Sequence, residues 1–187
     1  MSNFAYSIID WKNITTTLGL RELILPGLPI EMQLSKNLSL KEVVKSNTAS
    51  RLGIDNTPED WEIENLKAVA ENVFQPIRDH FGVPIAVSSG YRGKQLNKAI
   101  GGSKYSQHMV GEALDLDADV FGRITNADIF NFVKDNLVWD QMIWEFGDDE
   151  EPNWVHISYK SAGRNRKQIK RARRDEKNKV YYTVENA

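Results

Sequence analysis

Cysteine is absent from the 187 residues. That absence excludes disulfides, cysteine-ligated zinc ribbons, iron–sulfur clusters and thiol nucleophiles, so any bound metal would have to be held by histidine and carboxylate. Long apolar runs are missing too. No stretch reaches the roughly 18 residues that a membrane-spanning helix needs, and the opening Met1-Ser2-Asn3-Phe4-Ala5-Tyr6 lacks the basic-then-apolar pattern of a secretory signal. The expectation is a protein made and left in a cytoplasm, with no membrane partner. Histidine is scarce: His80, His108 and His156 are the only three.

What is present fits one globular domain with a real core, since 41 % of residues are hydrophobic and 27 % charged. The formal net charge of −2 conceals an asymmetry. Residues 160–187 hold ten Lys/Arg against Asp175, Glu176 and Glu185, a surplus of seven that leaves the rest of the chain at −9. The expected organisation is an N-terminal extension over 1–38, a folded domain over 39–170, and a basic C-terminal tail or arm over 171–187.

Residues 1–38 show no sustained period and read as an irregular extension that wraps the domain or packs on a partner. Ser39-Leu40-Lys41-Glu42 has the capping-box pattern and opens a short helix through about Ser46. Gly53 and Asn56-Thr57-Pro58 mark a turn. From Trp61 to Phe81, Ile63, Leu66, Val69, Ala70, Val73, Ile77 and Phe81 recur at three- and four-residue spacing, which predicts the main amphipathic helix, kinked near Pro76. A strand over Val83–Ser89, a short helix over Gly93–Ile100, and a helix over Asn126–Asn136 capped by Thr125 or Asn126 follow. Three further strands are predicted over Glu112–Asp117, Gln141–Phe146 and Trp154–Tyr159. Helices early and strands late give an α+β fold, with a small antiparallel sheet packed against helices.

Side chains alternate across a strand, so Ala113, Asp115 and Asp117 share one face, as do Trp154, His156 and Ser158. Pairing these strands with faces aligned brings Asp115 to His156. His108 lies just before the first of them, on a turn relaxed by Gly111, and can swing over the same face. Two imidazoles and one carboxylate are what a hydrolytic zinc ion needs, with a fourth position left for water. A base must then accept the water proton. Glu145, a carboxylate set among apolar neighbours on an adjacent strand, is the candidate, with Glu150, Glu151 and Asn153 as rivals nearer to His156. Upstream, Ser88-Ser89-Gly90-Tyr91-Arg92 ends in a guanidinium suited to a substrate carboxylate or carbonyl, and Ser103 and Ser106 are placed to orient substrate or bond the ligands.

Ser89-Gly90-Tyr91-Arg92, then Ser106-x-His108-x-x-Gly111-x-Ala113-x-Asp115, then Trp154-Val155-His156 resemble the zinc D-alanyl-D-alanine carboxypeptidase and L-alanyl-D-glutamate endopeptidase family, whose metal-site fold is shared with the hedgehog signalling domain. The likeness spans roughly residues 39–170, and small phage and prophage members look most similar. It implies hydrolysis of peptide bonds in peptidoglycan stem peptides, one Zn2+ on His108, Asp115 and His156, Glu145 as catalytic acid/base, and Arg92 on substrate, with Tyr91, Ser103, Ser106 and Trp154 lining the site. In this picture a monomer made in a bacterial host cytoplasm acts on the cell wall as an endolysin. One departure stands out. Several branches carry the catalytic carboxylate three residues before the last histidine, where this chain has Asn153; in the most similar branch the acid sits upstream on the preceding strand, the place of Glu145.

Other readings belong beside this one. His80 reads as structural, Asp117 as a capping or exposed residue before a metal-site partner, and Trp154 and Tyr159 as core or pocket wall. The basic tail reads as a solvated face or an attraction to anionic wall polymers, since no nucleic-acid-binding motif accompanies it. Val180–Val184 suggests a final short strand or an arm packed back on the domain. The competing functional class is a virion or interaction protein that keeps the fold and the metal without catalysis.

Overall fold

The computed structural model describes residues 32–185. Most of the expected extension, residues 1–31, lies outside that range, but its end belongs to the domain. Strands β1 (Gln33–Ser35) and β2 (Leu38–Ser39) form a small hairpin, and Leu34 and Leu38 are buried in the main core. The folded unit therefore starts before residue 39. Two leucines separated by a tight Lys36-Asn37 turn were too short a pattern to register as strands.

Ser39 and Glu42 make the expected capping box and start α1 (Leu40–Val44). A second helix, α2 (Asn47–Leu52), follows at once, capped by Ser46 and ended by Gly53 in the left-handed conformation. The main amphipathic helix is real but interrupted. It runs as α3 (Asp60–Val69), a π-helical turn (Ala70–Phe74) and α4 (Gln75–Phe81). Pro76 has no N–H to give to the carbonyl four residues back and its ring crowds that carbonyl, so the wide turn just ahead of it accommodates the proline without breaking the rod. Ile63, Leu66, Val69, Val73 and Ile77 form its buried stripe. Later, α5 (Lys94–Ala99) is short, and α6 (Asn126–Asn136) is capped by Thr125, whose Oγ accepts from Asp128 N. No helix among the described residues is long and apolar enough to cross a membrane.

The remaining strands are β3 (Ala86–Ser89), β4 (Ala113–Asp117), β5 (Gln141–Glu145), β6 (Trp154–Ser158), β7 (Gln168–Arg174) and β8 (Val180–Glu185). They form one six-stranded sheet in the order β3-β4-β6-β5-β7-β8. It is mixed, not purely antiparallel: β7 runs parallel to β5. The boundary expected at residue 170 falls inside β7, and β8 pairs along its whole length with β7, so the basic segment extends the sheet. The final strand over Val180–Val184 is found as β8. One sheet face packs on the helices through Leu114, Leu116, Val155, Ile157, Met142 and Ile169, with Trp144 edge-on to Phe130 of α6. His80 stacks on Phe132 at 4.1 Å, in keeping with a structural role. The other face carries the site.

Candidate metal centre

Register places the donors. Asp115 on β4 is the direct cross-strand partner of His156 on β6, so strand alternation turns both away from the Leu114, Leu116, Val155 and Ile157 face that packs on the core. His108 comes from a 3-10 turn, Gln107–Val110, closed by Gly111 at φ +72°. A Cβ at Gly111 would stand 2.4 Å from the Glu62 carbonyl, so only glycine lets this turn pack against α3 and drop His108 onto the sheet.

The three donor atoms converge. His108 Nε2 is 3.1 Å from Asp115 Oδ1 and 3.1 Å from His156 Nδ1, and His156 Nδ1 is 2.8 Å from Asp115 Oδ1. A tetrahedral zinc with bonds of about 2.0–2.2 Å sets its ligands roughly 3.3 Å apart, so the cluster is close to the spacing the ion demands. Chemistry agrees with geometry. His108 Nδ1 sits 2.6 Å from the Gly90 carbonyl oxygen, and a carbonyl only accepts, so Nδ1 carries the proton and Nε2 offers its lone pair to the centre. Burial pushes the His108 pKa down, favouring the neutral imidazole that ligation requires. For Asp115 burial acts upward, but its close contacts with the His108 and His156 imidazoles outweigh it and hold the carboxyl below the usual carboxylate range. The residues present therefore fit a zinc ion.

Glu145 lies on the same face, two residues along β5 from Ile143, the cross-strand partner of His156. It is only 7 % exposed, and among the described residues no donor meets its carboxyl. Burial first, and then the negative charge of Asp115, push its pKa up to about 8, with Arg92 opposing. A buried carboxylate in that range is suited to accepting and returning a proton near neutral pH. The rivals lie elsewhere: Glu151 caps α6 through Ala127 N, Glu150 is exposed in the loop, and Asn153 pairs its backbone N–H with the Glu145 carbonyl. The connection between β5 and β6 is the longer hairpin that the Glu145 assignment requires, opening on Phe146 and Gly147, both at positive φ.

Arg92 reaches the second oxygen of Asp115 at 3.4 Å while its Nε is buried without a partner. It also lines a hollow of about 380 Å³ with Ser89 and Lys45. Trp154 stands beside Glu145 on the site face. Tyr91 does not reach the cleft with its hydroxyl: the buried ring points to α3, where the hydroxyl donates to Glu62 Oε2 at 2.9 Å. Ser103 is exposed and its Oγ accepts from Tyr105 N within the loop, and no hydrogen bond joins Ser106 Oγ to the ligands. Asp117 caps a turn by accepting from Asp119 N. One residue near the cleft escaped the sequence reading. Tyr182 on β8 lies opposite Ala172, which lies beside Glu145, and burial together with the charges of Glu145 and Asp115 pushes its phenol pKa up. Only the long-range pairing of β5 with β7 brings it there.

Residues 36–158, 123 of the 187, match the family model described as Peptidase M15. The chain belongs to the M15 peptidase family. M15 peptidases are zinc-dependent, and His108, Asp115 and His156 form a group able to hold such an ion. No curated protein matches the chain. The M15 match ends at Ser158, so β7 and β8, with Ala172, Arg174 and Tyr182, lie beyond it.

Proposed function

We propose that this M15 peptidase hydrolyses peptide bonds of peptidoglycan stem peptides, as a D,D-carboxypeptidase or an L-Ala-D-Glu-type endopeptidase, in the manner of a phage endolysin. The observation that carries the reading is the convergence of three buried donor atoms within 3.1 Å on a face that also holds a buried, unpaired carboxylate. Zinc held by His108 Nε2, Asp115 Oδ1 and His156 Nδ1 would supply Lewis-acid chemistry, polarising the scissile carbonyl and acidifying water. Glu145 accepts the proton of the attacking water and returns it to the leaving amine nitrogen. Gly90 fixes the His108 tautomer, and Arg92 holds Asp115 in place while its free edge faces substrate. Trp154 walls the cleft and limits water around Glu145.

Purified cell walls incubated with zinc-loaded protein, with and without chelator, test this. Mass analysis of the released fragments is expected to show new amine and carboxylate termini at one stem-peptide bond, lost with chelator. A zinc-loaded protein that leaves walls and stem peptides uncut overturns it.

A further inference from the structure

Past Glu145 the site face continues into a hollow of about 510 Å³. Its floor is Ala172, fully buried and directly beside Glu145 in the parallel β5–β7 register. One wall is aromatic: Trp154, the cross-strand partner of Glu145, and Phe146, with ring centroids 5.4 Å apart. The other wall is Arg174, two residues beyond Ala172 and so on the same face.

Arg174 differs from Arg171 and Arg166, which pair with Asp149 and Asp140: it is exposed and, among the described residues, no carboxylate lies within 4.0 Å of it or of Arg173, which lines the same hollow and donates to Thr183 Oγ1. The Arg174 guanidinium carbon stands 4.7 Å over the Phe146 ring, and Nη1 donates to the Asn178 carbonyl at 3.2 Å. Stacking and that single bond orient the planar fork and leave its other donors free, as suits a carboxylate. The hollow thus joins an oriented cation to aromatic walls able to cover aliphatic carbon, and two of its lining residues, Trp154 and Ala172, are the strand neighbours of the candidate acid/base.

We propose that this hollow is a subsite for a carboxylate-bearing residue of the substrate, with the Arg174 guanidinium taking the carboxylate and Phe146 and Trp154 flanking the residue's aliphatic part. The inference rests on the peptidase reading and narrows it to acidic peptides. It gives β7, outside the residues matched to the family, a part in specificity. Arg92 and Arg174 then lie on opposite sides of the metal ligands, one cation toward β3 and one toward β7.

Two stem peptides, identical except that a carboxylate next to the scissile bond is free in one and amidated in the other, test it. The readout is the ratio of their kcat/KM values. The zinc-loaded wild type is expected to favour the free carboxylate by about five- to tenfold, as a partly desolvated charge-assisted pair allows. Arg174→Gln is expected to bring the ratio to about one and Arg174→Glu to invert it. A wild-type ratio of one, or a ratio unchanged in Arg174→Gln, overturns the subsite and leaves the peptidase reading standing. Wild-type protein that cleaves neither peptide overturns both.

Discussion

The Gly90 carbonyl oxygen fixes His108, at 2.6 Å from Nδ1, while Gly90 itself is pressed so tightly on α1 that a Cβ there would lie 2.5 Å from the Val43 carbonyl. The contact that sets a ligand's tautomer thus depends on a position with no room for a side chain. Gly90→Ala should push the segment off α1 and move the carbonyl away from the imidazole. Expected are a loss of about 1–3 kcal/mol in stability from overpacking and zinc affinity lowered by about 10–100-fold, the usual cost of losing a ligand's orienting partner. Thermal melts of the metal-free protein and chelator competition measure the two separately. Unchanged zinc affinity would refute the orienting role.

Asp115 tests whether the three donors act as one site. Ligand bound only to the folded state stabilises it by about 2.7 kcal/mol at a hundredfold excess over Kd, so zinc should raise the Tm of the wild type by several degrees. Asp115→Ala removes one donor of three and leaves two facing imidazoles, and its zinc-dependent rise in Tm should vanish. A rise equal to that of the wild type would mean that zinc binds elsewhere.

Much of this centre was legible in the chain because strand parity is local: alternation within Ala113–Asp117 and Trp154–Ser158 forces Asp115 and His156 onto matching faces once those strands pair. The capping box at Ser39 and the helix cap expected at Thr125 or Asn126 are local for the same reason, and Thr125 is the cap. Strand β7 was not legible, since Gln168–Arg174 offers only Ile169 and Ala172 as apolar residues among four cations. Its burial depends on Arg171 lying over Trp144 at 5.2 Å, a use of a charged side chain as cover that composition reads as solvent exposure. Tyr91, expected among the residues lining the site, is instead turned away: the turn that delivers Arg92 sends the Tyr91 ring into the core.

Glu145 should show opposite effects on activity and on stability. Its pKa in the folded, metal-free protein is pushed up to about 8, above the value of about 4.3 expected when unfolded. The protonated form is therefore favoured by folding, and stability from this group is fully present below about pH 4 and falls away as pH rises through 8. Glu145→Gln removes the charge, so in chelator it should match the wild type near pH 4.5 and exceed it at pH 8.5, by on the order of 2–4 kcal/mol. With zinc, the same variant should lose about 10²–10⁴ in kcat. Denaturant melts at both pH values, beside peptide hydrolysis, check both. A variant no more stable than wild type at pH 8.5 would remove the claim that this carboxylate is buried without a partner.

Asp140 ties the sheet to the ligand turn from below. It is fully buried, accepts from Arg166 N at 3.0 Å and Arg166 Nε at 2.9 Å, and accepts from Gln107 Nε2 at 3.0 Å, one residue before His108. Burial alone would raise its pKa, but the bonds from Arg166 and Gln107 hold it below the usual carboxylate range. A depressed pKa means that its stabilisation is present above the unfolded value of about 3.9 and is lost as pH falls through the lower folded value. Because the Arg166 side chain is 46 % exposed, solvent screening limits the ion pair, and Asp140→Asn should cost about 1–2 kcal/mol at pH 7 rather than the 3–5 of a fully buried pair. That difference from the wild type should shrink as pH drops below the unfolded value of about 3.9. Zinc affinity should fall in the same variant, since Gln107 loses one anchor of the turn that presents His108. Paired pH-dependent melts and chelator competition decide it: a stability loss with unchanged zinc affinity would confine Asp140 to the fold, whereas loss of both would make it a support of the metal centre.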